Sequence, residues 1–224
     1  MQMHGGTGFI FLVLVGAFVV GGAIFSAIAK NRRQTELAAL AFQLGFRFRP
    51  GNDPGFATGW SFLTKLAQGS DRYAFNVMEG NYGEQRVFVF DYHYQTGSGK
   101  NTEHHYLTFF LLILPRAFPE LTIGRENLLM KIAETFGYDD IKFESAEFSK
   151  AFCVRSQDKK FAYDVCNPQM IELLLANRDL EIEIQGPALL LEFKKQMPAG
   201  QIKSNLQQLV EIRARLPEYL FTNA

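Results

Sequence analysis

Residues 73–94 read YAFNVMEGNYGEQRVFVFDYHY, and residues 106–114 read YLTFFLLIL. The first stretch is interrupted at Gly80-Asn81-Tyr82-Gly83, a short glycine-bearing connection suited to a hairpin between Tyr73–Glu79 and Glu84–Tyr94. Side chains alternate across a strand, so Phe88, Phe90, Tyr92 and Tyr94 share one face and Val87, Val89, Asp91 and His93 the other. The second stretch is apolar throughout, the pattern of a strand covered on both faces in the middle of a sheet. The glycine-rich loop Thr96–Thr102 then connects two neighbouring antiparallel strands.

Working outward, the spacing changes from two to about 3.6. Leu37, Leu40, Ala41 and Leu44 predict a helix begun at Thr35 or continued from upstream, with Gly45 ending it. Pro50–Gly59 reads as a loop. Leu129, Ile132, Ala133 and Phe136 predict a second helix, closed by Gly137. Short strands are expected at Ile141–Glu144 and Phe152–Ser156. A helix follows from Asn167-Pro168 to about Ala176, since asparagine caps and proline suits the first turn. Leu180–Gln185 and Ala188–Phe193 read as a hairpin across Gly186-Pro187. Ile202, Leu206 and Leu209 place a last helix over Ala199–Arg215, stopped by Pro217. The predicted fold class is α+β, an N-terminal transmembrane helix followed by one mainly antiparallel-sheet domain with flanking helices.

The transmembrane expectation rests on Gly8–Ala29, 22 residues without a charge. As a helix they span roughly 33 Å, against about 30 Å of hydrocarbon. A cleaved signal peptide is the competing reading, because Ala27-Ile28-Ala29 resembles a cleavage site. The run is long for that, and no lysine or arginine precedes it. Lys30, Arg32 and Arg33 follow at once and serve as membrane-orienting residues. The expected organisation is therefore a 1–7 extracytoplasmic tail, an 8–29 span and a 30–224 cytoplasmic domain, single-pass in the cell membrane. Ala17/Gly21 and Gly22/Ser26 have the small-residue spacing that permits self-association of such helices.

Composition narrows the function classes. Lysine plus arginine and aspartate plus glutamate are 23 each, so the net charge is zero and no nucleic-acid partner is expected. Cys153 and Cys166 are too few for a disulfide framework and read as buried thiols, with a redox pair as the alternative.

The block Ile141–Leu174, IKFESAEFSKAFCVRSQDKKFAYDVCNPQMIELL, combines Glu144, Glu147-Phe148-Ser149, Phe152 with Val154, Ser156 with Asp158, and Ala162 with Asn167-Pro168. In this it resembles the signature of an uncharacterised bacterial membrane-protein family. The resemblance implies membrane helices near the N-terminus and supplies no activity.

Few residues point to chemistry. Asp91, His93, His104 and His105 form the best polar cluster, with ligand types suited to zinc or another divalent metal. Their alternative role is structural or surface. Gly97-Ser98-Gly99-Lys100 resembles part of a phosphate loop. Tyr94 and Asn101 stand where that motif needs glycine and serine or threonine, and the segment leads into a strand. Glu144 and Glu147 are close enough for a carboxylate pair but serve equally as strand-entry residues. No Gly-x-Ser-x-Gly, His-Glu-x-x-His or Cys-x-x-Cys motif occurs. The aromatic strand face is core, or an interface if left open. The expectation is a membrane-tethered interaction or scaffold domain without catalysis, binding a protein partner, a second copy or the membrane face. The alternative is a membrane-anchored metal-dependent hydrolase using the histidine cluster.

Overall fold

The computed structural model describes residues 5–125 and 140–222, with first-helix side chains described from Gly21 onward except Ala23. Helix α1 (Gly5–Leu44) leads into strand β1 (Arg47–Arg49), helix α2 (Pro54–Gly59) and a 3-10 turn, Thr64–Leu66. The hairpin β2 (Ser70–Tyr82) and β3 (Gln85–Thr96) and the long strand β4 (Glu103–Gly124) follow. After them come α3 (Ala146–Ala151), β5 (Cys153–Ser156), α4 (Lys159–Val165), α5 (Pro168–Ala176) and β6 (Glu181–Phe193). The described chain closes with α6 (Ala199–Arg215) and α7 (Tyr219–Thr222). The helix expected around 129–136 lies outside the described residues.

All the named pairings are antiparallel, in the order β1-β2-β3-β4, with β5 and β6 both on β4. Strand β4 takes β3 and β6 as neighbours over residues 108–112, so it is central there, and its two faces are buried in separate cores, Phe110 and Leu112 in one and Phe109 and Leu111 in the other. One face of the sheet, through Val87, Val89, Phe110 and Leu112, packs on Leu37, Ala41, Leu206 and Leu209 of the helices. The other face, through Phe88, Phe90, Tyr92 and Phe109, is covered by Ala57, Leu63 and Leu66. The aromatic strand face is therefore core, each fully buried ring contributing about 1.5–3 kcal/mol.

Local caps explain most helix starts. Asp53, Ser145, Asp158 and Asn167 each accept a backbone N–H three residues on. Asp53 thus turns part of the expected Pro50–Gly59 loop into α2. Gly45, at φ +70°, ends α1 as its position predicts.

Three further expectations change. Residues 180–193 are not a hairpin: both halves pair with β4, so Gly186 (φ +53°) bends one strand instead of reversing it. The ladder is broken between Ile113 and Phe118, where β4 carries Pro115, and again before Leu121, after Pro119. Ile141–Glu144 forms no strand, although the Ile141 amide donates to the Val154 carbonyl. The third change concerns the transmembrane helix at 8–29. Among the described residues no helix is long and apolar enough to cross a membrane. From Gly21 onward α1 soon meets Lys30, Arg32, Arg33 and Glu36, and then docks Leu37 and Ala41 on the sheet. The single-pass placement in the cell membrane, with the N-terminus outside and the domain cytoplasmic, falls with the span.

Candidate functional site

Asp91 is the centre of the polar region on the α1 side of the sheet. Alternation in β3 turns it inward, and the register sets it opposite Phe75 and Thr108. Arg33 of α1 grips it with both prongs, Nε to Oδ2 at 2.8 Å and Nη2 to Oδ1 at 2.6 Å. Asn76 Nδ2 and Thr108 Oγ1 donate to it at 2.8 Å, and Gln196 Nε2 at 3.1 Å. Arg33 Nη1 also donates to the Met197 carbonyl at 2.8 Å. Five donors on a carboxylate with about four lone-pair sites leave it no free capacity. The arrangement clamps α1, three strands and the 196–197 segment together.

The basic triplet after the apolar run is thus divided. Arg33 is a structural residue of the domain, Arg32 pairs with Glu36 at 2.9 Å on the surface, and Lys30 is exposed at the edge of a cleft.

The histidines separate in the same way. His93 and His104 lie on the Asp91 face and meet at 2.9 Å, Nε2 to Nδ1, while His93 Nδ1 contacts the Asp71 carbonyl at 2.9 Å. Tyr73 stacks on His93 with ring centroids 4.5 Å apart. His105 points to the opposite face, stacked on Tyr94 and held by Thr96 Oγ1 at 2.7 Å. The four expected ligands do not converge, and among the described residues no group of three His, Cys, Asp or Glu side chains is placed to hold a metal. Glu144 and Glu147 do not pair as a carboxylate site either: Glu147 binds Arg178, and both are exposed.

Beside the clamp a cleft of about 460 Å³ opens between α1 and the sheet. Ser26, Ala29 and Lys30 form its helix wall, and Tyr73, Phe75 and Tyr106 its sheet wall. Phe75 and Tyr106 meet edge to face at 6.3 Å. Burial, with the neighbouring Tyr106 hydroxyl, pushes the Tyr73 phenol up to about 12. Asn76 is also in the lining, 3% exposed, on a bulge at φ +51°.

A second polar cluster lies under the other face. Lys65 Nζ contacts Glu181 at 2.7 Å and Glu192 at 2.5 Å, and Lys194 reaches Glu181 from outside at 3.1 Å. Glu183 accepts the backbone N–H groups of Thr64 at 2.5 Å and Lys65 at 3.0 Å. Burial opposes the Lys65 charge, but Glu192 and Glu181 outweigh it and hold the ammonium above its ordinary range. Burial raises Glu192 despite Lys65; at Glu181 burial pulls upward too, yet Lys65 prevails and lowers it. The sequence signal was there in Leu180-Glu181-Ile182-Glu183-Ile184, since strand alternation puts both glutamates on one face. Nothing in Leu63-Thr64-Lys65-Leu66 marks the lysine that meets them.

No family model matches the chain, and no curated protein matches it. Among solved structures the fold is similar to the crystal structure of the mycobacterial trehalose monomycolate transport factor A, TtfA, with a TM-score of 0.57. Identity is 15% over 84% of this chain and 96% of that one, so the likeness is one of fold.

Proposed function

We propose that this chain is a non-catalytic, transport-associated domain that acts by holding a partner protein along the exposed part of α1. The observation that carries the reading is the helix between Gly21 and Arg32, whose described residues are all exposed on every side. Ile24, Phe25 and Ile28 are 56%, 75% and 61% exposed. An apolar helix uncovered all round is the condition that burial against another chain relieves. The Arg33–Asp91 clamp holds the base of that helix in the domain, so less freedom is lost on binding. Two further points support the reading. Asp91 is engaged by Arg33 and His93 by Asp71 and His104, and the fold is similar to that of a protein described as a transport factor.

A photo-crosslinking residue at Phe25, compared with one at Glu211 on α6, tests this in living cells. The expected result is one defined protein adduct from position 25, absent from position 211 and lost with Ile24→Asp plus Ile28→Asp. Adducts to lipid alone, or none, would sink the proposal.

A further inference from the structure

We infer that Lys65 and the glutamates around it form a proton-operated latch, which holds the 60–69 segment down on the sheet and lets it lift as pH rises. The buried Lys65 ammonium lies between Glu181 and Glu192, from opposite ends of β6, while Glu183 takes the Thr64 and Lys65 amides. Leu63 and Leu66 flank the lysine and are fully buried in the same core as Phe90, Tyr92 and Phe109. The Tyr92 hydroxyl donates to the Leu66 carbonyl at 2.6 Å. What fastens Lys65 therefore fastens the segment, and its release uncovers an aromatic face.

The charges need a proton to balance. Three buried carboxyls, Glu181, Glu183 and Glu192, face one buried ammonium, and Lys194 adds a second positive charge at Glu181. Fully ionised, the group would hold surplus negative charge away from water, which burial opposes. Glu181 and Glu192 are also hydrogen-bonded to each other, and two carboxyls make that bond only with a proton between them. The other ionisable neighbours leave this balance in place. Glu120, reached through Thr64 Oγ1 at 3.3 Å, is a further carboxyl, raised by burial. Tyr94 is pushed up by burial and by Glu192, so it stays neutral.

Lifting the segment returns Glu183 and Glu192 to water, where their ordinary value is 4.5. Burial raises both in the closed form, Glu183 to about 7. From about pH 4.5 upward the closed form therefore holds more protons than the open one. Closure is favoured most in mild acid, and the advantage is lost as pH rises through the closed-form values. Glu181 runs the other way. Burial pulls it up but Lys65 prevails and lowers it, so its contribution is lost only as pH falls below the ordinary carboxylate range. The latch uses no residue of α1, so it stands or falls apart from the partner surface.

Amide hydrogen exchange on the full chain tests the latch, read as protection factors so that the base dependence of exchange itself divides out. Residues 61–69 should be less protected than residues 109–112 and nearly insensitive to dilute urea, as local opening requires. Their protection should fall at least tenfold between about pH 5 and about pH 8. Glu183→Gln combined with Glu192→Gln has no proton to lose at either position and should flatten that dependence. If this variant fails to fold, the native chain decides alone. Exchange of residues 61–69 only together with residues 109–112, protection unchanged with pH, or a folded double variant that keeps the pH dependence would each overturn the inference.

Discussion

Glu183 shows how one buried side chain links this fold to pH. Desolvation raises its pKa from 4.5 to about 7, although the Lys65 and Thr64 amides and the Lys65 charge pull the other way. Below about pH 4.5 the folded and unfolded chains both carry this proton. Between 4.5 and about 7 the folded chain keeps it while the unfolded chain has lost it, so stability falls as pH rises through that window and then levels. A shift of this size corresponds to roughly 3 kcal/mol. Glu183→Gln has no proton to lose, so its stability relative to the native chain should rise by about that amount from pH 4.5 to 8. Urea unfolding at several pH values measures the difference; a flat difference would mean Glu183 ionises normally in the fold. Little of this was legible beforehand. Strand alternation sets Glu181 and Glu183 on one face, but whether that face meets water or protein depends on Thr64 and Lys65, 119 and 118 residues before Glu183 in the chain.

At the scale of elements, the informative unit is α1. It reads in sequence as an apolar run, a basic triplet and an amphipathic stretch, three pieces with three roles. In the structure it is one helix, and Arg33 belongs to the domain because Asp91 lies within reach at 2.6 Å. Removing Asp91 leaves the mostly buried guanidinium unpaired, along with the donors from Asn76, Thr108 and Gln196. Asp91→Ala should cost about 3–5 kcal/mol in denaturant unfolding. Amide exchange should quicken first in residues 33–44, before the β2–β3 hairpin. A loss below 1 kcal/mol, with α1 protection unchanged, would show that Leu37 and Ala41 hold the helix without the clamp. Strand β6 teaches a related lesson. Gly186-Pro187 is a turn signal locally, but β4 extends past its own prolines and offers ladder partners to both halves, so the signal becomes a bend.

Across the whole molecule, burial governs both thiols, Cys166 within the helix-covered core and Cys153 at the start of β5. Cys153 and Cys166 are free and nearly inaccessible, and burial pushes their thiols up to about 11 and about 12, with Asp140 adding to the Cys153 shift. Both should react with an aromatic disulfide reagent only as fast as the domain opens, accelerating together across the urea transition. Rapid labelling of one in native buffer would show local opening of the face that covers it. The sequence by itself determined the antiparallel hairpin and its two-faced alternation, the central apolar strand, the Asn167 cap and the Gly45 stop. These depend on neighbours a few residues apart, where backbone geometry fixes what each side chain faces. Tertiary structure decided everything that needed a partner from elsewhere. It gave Arg33 to Asp91, joined His93 to His104 while turning His105 away, and brought Lys65 to Glu181 and Glu192. Charge pairing and burial act through space, and a strand pattern records which face a residue is on without recording what will cover it.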